Sequence, residues 1–138
     1  VLKFKNGAVG TIEGTSNVYP KNLEETLYVF GETGTVKVGG TSTNNIDVWE
    51  FADETDVDAE AKGLREVTSN VYGNGHTALY ADMIDAIESD RAPYVDAVAG
   101  RNALEVVLAI YKSQKTGEPV QLPLRGFAST DMTGEFGR

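Results

Sequence analysis

The sequence predicts a single α+β domain over residues 1–138, with an open, mostly antiparallel β-sheet and helices packed on one of its faces. In the first half of the chain, short alternating apolar segments are separated by tight turns, and connections this short join antiparallel strands. In the second half, apolar residues recur three and four positions apart, which is typical of amphipathic helices. A chain of 138 residues can form one domain around one core.

The predicted strands cover the first 51 residues. Asn6-Gly7 should supply the two positive-φ residues of a hairpin turn, and Gly31 to Gly34 should form a second turn. The predicted strands are residues 2–4, 8–17, 26–30, 35–38 and 46–51.

Large apolar residues are predicted on both faces of two of these strands. The opposed pairs are Tyr28 with Phe30 against Leu27 with Val29, and Ile46 with Val48 against Trp49 with Phe51. A sheet with one wet face would alternate apolar and polar residues, so this pattern indicates that both faces are covered. The helices account for one face, and the pattern by itself does not identify what covers the other face.

The second half predicts two helices and an extended end. The first begins at His76 and carries its apolar residues on one side through Ile87. The second begins at Asp96, a good N-cap, and ends at Gly117 with Pro119 beyond it. Residues 119–122 are predicted as an edge strand and residues 126–138 as an extended tail.

Gly73, Gly75 and Ala78 match the spacing of a dinucleotide-binding loop. That motif requires a preceding apolar strand and a following parallel strand that ends in an acidic residue. Here the residues before the loop are weakly apolar, and Asp96, at a suitable distance, is predicted to cap a helix. The glycines therefore indicate a tight turn into a helix and not a cofactor site.

His76 is the only histidine, which excludes a metal site built from several histidines. At the start of a helix its imidazole could form a hydrogen bond with a substrate, or it could be a structural residue bonded to nearby backbone. The sequence by itself leaves both interpretations open.

The acidic residues between Asp53 and Glu60 raise the possibility of calcium binding. An EF-hand loop requires glycine at its sixth position, where this sequence has Asp58. A solvated charged loop is the preferred prediction. No serine has a glycine-flanked nucleophile motif, so a serine hydrolase is not indicated.

Composition narrows the range of partners. A net charge of -9 disfavours nucleic acids and anionic membranes, and no apolar run is long enough to cross a bilayer. The absence of cysteine excludes disulfides and suits a reducing compartment. We expect a cytoplasmic protein that binds a small molecule.

Three segments carry a resemblance to a known family: FKNGAVGTIEGT, YVFGETGTVKV, and the region from YGNGHTALYADMIDAI to AVAGRNALEVVLAIYKSQKTGEPVQLPL. Together they resemble the C-terminal α/β domain of the glucose-fructose oxidoreductase, inositol dehydrogenase and rhizopine catabolism family. The resemblance covers nearly the whole chain. Its most specific part is the glycine-histidine helix start with the segment from Pro93 to Ser113.

The resemblance implies a two-domain oxidoreductase that uses NAD or NADP and acts on a sugar, nucleotide sugar or cyclitol. The dinucleotide would be bound by an N-terminal Rossmann domain that is absent from this chain. In the family, a lysine and an aspartate-histidine pair assist hydride transfer, and none of the three has a matching position here. We therefore expect no catalytic residue, no bound cofactor and no activity in this fragment alone.

The resemblance also implies which residues contact the substrate. His76 corresponds to a position that faces the substrate cleft, and Tyr72 precedes it on the same loop. Asn17 and Tyr19 lie in a loop that resembles another wall of the pocket. The same family pattern implies a homodimer or homotetramer assembled through the sheet. The alternative hypothesis is a stand-alone, non-enzymatic dimerisation or ligand-binding module of the same fold.

Overall fold

The computed structural model describes residues 1–68 and 72–136. The chain divides into two compact units, Val1–His76 and Thr77–Arg138. The first unit contains the strands and the second most of the helical residues, in agreement with the predicted α+β class. The elements are β1 (Leu2–Lys3), β2 (Val9–Gly10), β3 (Leu27–Phe30), β4 (Gly34–Gly39), β5 (Asn45–Phe51), α1 (Asp56–Ala61), α2 (Gly75–Glu88), α3 (Ala97–Thr116) and a 3-10 turn, Ser129–Met132.

The N-terminal hairpin is confirmed, although its strands are shorter than predicted. β1 and β2 pair antiparallel, with Leu2 opposite Gly10. Only Gly7 has a positive φ, +92°, so the prediction that Asn6 would share that conformation is wrong. The Gly7 amide donates to the Phe4 carbonyl, and a single left-handed glycine therefore closes the turn.

Strands β3, β4 and β5 form a second antiparallel sheet in that order. Residues directly opposite each other share a face. Tyr28 is paired with Lys37 and then Val48, whereas Val29 is paired with Val36 and then Trp49. We name the two surfaces the tyrosine face and the tryptophan face. The tyrosine face carries Tyr28, Phe30, Thr35, Lys37, Val48 and Glu50, and the tryptophan face carries Leu27, Val29, Val36, Val38, Ile46, Trp49 and Phe51.

A register shift separates Ile46 from Val48. Lys37 is paired with Val48 but the next residue, Val38, is paired with Ile46, so Asp47 is an extra residue in β5. A bulge of this kind interrupts the two-residue alternation. The prediction that Ile46 and Val48 lie on one face is therefore wrong. The Asp47 carboxylate forms a salt bridge with Lys37, with Oδ2 and Nζ 2.9 Å apart.

The acidic segment after β5 is partly helical and not the charged loop predicted. Thr55 precedes α1, and Asp58 Oδ2 accepts hydrogen bonds from the Thr55 amide at 2.7 Å and hydroxyl at 2.6 Å. Asp58 Oδ1 accepts from the Trp49 indole at 2.8 Å. These donors, the Thr55 hydroxyl first, hold the pKa of Asp58 below its ordinary value. The carboxylate thus caps the helix and fastens it to β5.

The two long helices confirm the predictions from spacing and caps. Asp96 Oδ1 accepts from the Ala99 amide at 2.8 Å, and α3 ends at Gly117 with φ of 70°. Asp82 on α2 accepts from the Tyr94 amide at 2.6 Å and from Arg91 at 2.7 Å. The amide and then the guanidinium lower the pKa of Asp82. These bonds tie the segment after α2 to the helix.

The C-terminal region departs from the sequence-based expectation in two places. Residues 119–122 do not form a strand within the described part of the chain. The tail is not simply extended either: its 3-10 turn includes Met132, only 2% exposed. The Phe136 ring lies edge-on to Tyr111 of α3, with centroids 5.8 Å apart. Apolar contacts with α3 therefore order the tail.

Candidate functional site

The predicted substrate loop lies beside the edge of the sheet. Residues 64–66 run along the start of β5: the Ile46 amide donates to Leu64 O at 2.8 Å, and Asn45 forms an antiparallel bridge with Arg65. This short segment brings the chain back along β5 just before the loop that contains Tyr72 and His76. The loop therefore follows a segment that is hydrogen-bonded to β5.

Glu66 is held by both of its backbone groups. Its amide donates to Asn44 O at 2.8 Å, and its carbonyl accepts from Asn44 Nδ2 at 2.5 Å. Its side-chain Oε1 accepts from Asn74 Nδ2 at 2.7 Å. Asn74 directly precedes α2, so a bond between two side chains connects the sheet edge to the start of that helix.

Gly73 is the second point at which the loop contacts the sheet unit, through the connection between β4 and β5. Its φ is +63°, and a Cβ atom at this position would lie 3.5 Å from Ser42 Oγ and 3.8 Å from Thr68 Cγ2. The Ser42 and Thr68 hydroxyl oxygens are 3.2 Å apart and share a hydrogen bond. The glycine therefore lets the loop turn while its backbone lies against the β4–β5 connection.

The structure brings Tyr72 and His76 together. Their rings meet edge to face, with centroids 6.4 Å apart and planes at 70°. The Tyr72 side chain is 75% exposed and His76 is also exposed. Both rings can therefore present a polar atom to a ligand while they support each other.

Asn17 and Tyr19 are placed differently. The Asn17 amide donates to Thr15 Oγ1 at 3.0 Å within its own loop. Tyr19 is 96% exposed. In the described part of the chain, no hydrogen bond or ring contact joins either residue to the Tyr72–His76 pair. Their predicted place in a pocket wall remains a prediction.

Sequence reasoning missed the residues that hold the loop. Glu66, Asn74, Ser42 and Thr68 are ordinary polar residues, and their partners are up to 26 positions away in the chain. Asn74 alone carried a signal, because asparagine is common at helix starts. The other three could be identified only from the fold.

The C-terminal unit has a concave surface. This open groove of about 590 Å³ lies between the end of α3 and residues 118–125. Lys112 Nζ on its wall already donates to Arg125 O at 3.0 Å. The groove contains none of the predicted substrate residues, and we do not assign it a function.

Two further classes of site were tested in the described residues. Across residues 1–68 and 72–136, no group of three or more histidine, aspartate or glutamate side chains is arranged to hold a metal ion. In the same part of the chain, no helix has the length and apolar character needed to span a bilayer.

Comparisons with known proteins agree with this architecture. Residues 1–122 match the model of the oxidoreductase family, C-terminal alpha/beta domain. A comparison with curated protein sequences gives no match.

Two solved structures are similar to the chain. One is the WlbA dehydrogenase from Bordetella pertussis in complex with NADH and UDP-GlcNAcA, with 34% identity, a TM-score of 0.73 and 88% of this chain covered. The other is the WlbA dehydrogenase from Chromobacterium violaceum in complex with the same two molecules, with 35% identity, a TM-score of 0.74 and 90% covered. The chain spans about a third of each, 33% and 34%.

The family match covers the first two segments on which the resemblance was based and all but the last two residues of the third, and it includes the loop with Tyr72 and His76. The chain therefore belongs to the glucose-fructose oxidoreductase, inositol dehydrogenase and rhizopine catabolism family, and residues 1–122 match its C-terminal α/β domain.

Proposed function

We propose that residues 1–138 are the C-terminal domain of an NAD-dependent dehydrogenase that acts on a nucleotide sugar. The observation that carries this proposal is the similarity to two dehydrogenases whose structures contain NADH and UDP-GlcNAcA. Because the chain spans about a third of those proteins, an N-terminal Rossmann domain would bind the dinucleotide. NAD is favoured over NADP because both similar structures contain NADH.

The role of this chain is to bind and orient the sugar. The bound nicotinamide would exchange a hydride with a sugar carbon, and the groups that move the hydroxyl proton would lie outside this chain. His76 and Tyr72 form one wall of the pocket, with a hydrogen bond from the imidazole to a sugar hydroxyl. Asn17 and Tyr19 form a second wall. This chain alone would be inactive.

The direct test is a screen of the full-length protein that contains this chain. Nucleotide sugars, free sugars and cyclitols would each be offered with NAD and with NADP, and nicotinamide absorbance would be followed. We expect turnover with a nucleotide sugar and NAD. If the folded full-length protein binds neither dinucleotide and converts none of the substrates, the stand-alone module becomes the better hypothesis.

We also propose that the tyrosine face forms an interface between copies of the protein. The Tyr28 and Phe30 rings are stacked with centroids 6.1 Å apart, and their side chains are 50% and 78% exposed. Lys37 Nζ lies 5.5 Å from the centre of the Tyr28 ring. Exposed aromatic rings among a few polar groups are typical of protein interfaces. Trp49 on the opposite face is already bonded to α1.

A charge at Phe30 tests the interface. In the full-length protein, Phe30→Glu should convert a dimer or tetramer to smaller species, because an unpaired carboxylate would be buried against the partner. Leu23→Glu is the matched control, since Leu23 is similarly exposed at 74% but lies outside the sheet. Light scattering would measure the mass. Equal masses for both variants and the unmodified protein would exclude this face as the interface.

A further inference from the structure

We propose that the Glu66–Asn74 hydrogen bond positions His76 for substrate binding. The inference rests on the proposed function, because it assigns positioning residues to the same substrate pocket. Neither Glu66 nor Asn74 needs to touch the substrate. They act through the start of α2, where His76 is the second residue.

The first step of the argument is the rigidity of Glu66. Asn44 bonds both its amide and its carbonyl, at 2.8 and 2.5 Å. The adjacent Arg65 bridges to Asn45. These bonds fix the backbone from which the Glu66 side chain extends. The Glu66 carboxylate can therefore define the position of Asn74, the residue it binds.

The second step is the short path from that carboxylate to the imidazole. Glu66 Oε1 accepts from Asn74 Nδ2 at 2.7 Å, and only Gly75 separates Asn74 from His76. Among the described residues other than its chain neighbours, no atom would lie within 4 Å of a Cβ on Gly75. No side chain in that part of the structure packs over this glycine, and the Asn74 side chain supplies a constraint one residue before it.

The third step is a second anchor on the other side of Asn74. The Gly73 backbone lies against Ser42, and Ser42 shares a hydrogen bond with Thr68. Tyr72 directly precedes this anchor and contacts the His76 ring. Gly73 lies against Ser42, and Asn74 is bonded to Glu66. Because both residues are held, the Tyr72 and His76 rings have a defined orientation before substrate binds. Such preorganisation lowers the cost of binding.

The test compares Glu66→Ala with Glu66→Gln in the full-length protein. Glutamine retains an oxygen that can accept from Asn74, whereas alanine does not. Glu60→Ala is the control, an exposed glutamate on α1 outside this network. We expect Glu66→Ala to lower kcat/KM for the nucleotide sugar by about 5- to 20-fold, mainly through KM. Glu66→Gln and Glu60→Ala should stay within about twofold.

A spectroscopic measurement separates this proposal from the proposed function. In protein labelled with ¹⁵N-histidine, the His76 imidazole signal would be identified by its loss in His76→Gln. Glu66→Ala should shift or broaden that signal, and Glu66→Gln should restore it. An unchanged signal in folded Glu66→Ala overturns the proposal whether or not the enzyme turns over any sugar. A changed signal with unchanged kcat/KM also overturns it, because the orientation would then not affect the substrate.

Discussion

The two loops predicted to line the substrate pocket differ in how they are held. The loop with Tyr72 and His76 is attached to the sheet edge through Gly73 and Asn74. The loop with Asn17 and Tyr19 shows a hydrogen bond inside itself, and its tyrosine is 96% exposed. Family resemblance assigned both loops to the pocket. Because contacts in the fold attach the first loop to the sheet edge, we expect it to be the preformed wall of the proposed pocket and the second loop to contribute less binding energy.

The largest expected effect comes from substituting Gly73 in the loop that is attached to the sheet edge. Gly73→Val places a β-branched residue at a φ of +63° and against Ser42, which should cost about 1–3 kcal/mol of unfolding free energy. Gly14→Val is the control in the other loop, where no atom of the described residues other than its chain neighbours lies within 4 Å of the added Cβ. It should change stability by less than about 0.5 kcal/mol. Denaturant unfolding would measure both, and equal losses would contradict the comparison.

A smaller effect is expected from the side chains that we propose to face the substrate. His76→Ala should raise KM for the nucleotide sugar by about 5- to 15-fold, the value of one hydrogen bond. Tyr19→Ala should raise it by less than about threefold, because a side chain so exposed has few contacts to lose. Steady-state kinetics of the full-length protein would compare them. A larger rise in KM for Tyr19→Ala than for His76→Ala would show that the loop with Asn17 and Tyr19 is the main wall.

The smallest expected effect is a loss of stability at low pH. It concerns α1, which the Asp58 carboxylate attaches to β5. The pKa of Asp58 is lowered by folding, chiefly through the Thr55 hydroxyl and the Trp49 indole. Ionised Asp58 therefore contributes its full stabilisation at pH values above its pKa in the unfolded chain, about 4. This stabilisation is lost as the pH falls through the lower pKa that Asp58 has in the folded protein.

Trp49 is the only tryptophan of the chain, so its fluorescence reports on this contact. As the pH falls below about 4, the unmodified chain should show a change at Trp49 that Asp58→Asn reduces. The amide oxygen of asparagine can still accept from the indole, but it does not titrate in this range. Identical pH profiles for the two proteins would show that Asp58 does not control the contact.

The sequence by itself determined the elements whose signals are local. Asp96 and Gly117 define the ends of α3 through contacts within a few residues, and the alternation of Tyr28 with Val29 gave opposite faces directly. The antiparallel α+β class followed from the same short-range patterns. His76 and Tyr72 were identified by resemblance, and the structure brings their rings together.

Only the tertiary structure decided the features that depend on distant partners. The extra residue Asp47 moved Ile46 to the face opposite Val48, because strand register depends on the neighbouring strand. The Met132 turn formed because α3 offers an apolar surface. Glu66 and Asn74 became recognisable as a connection only when Asn44 and the sheet edge were in place. Hydrogen bonds between residues far apart in sequence have no local pattern, and the fold is what creates them.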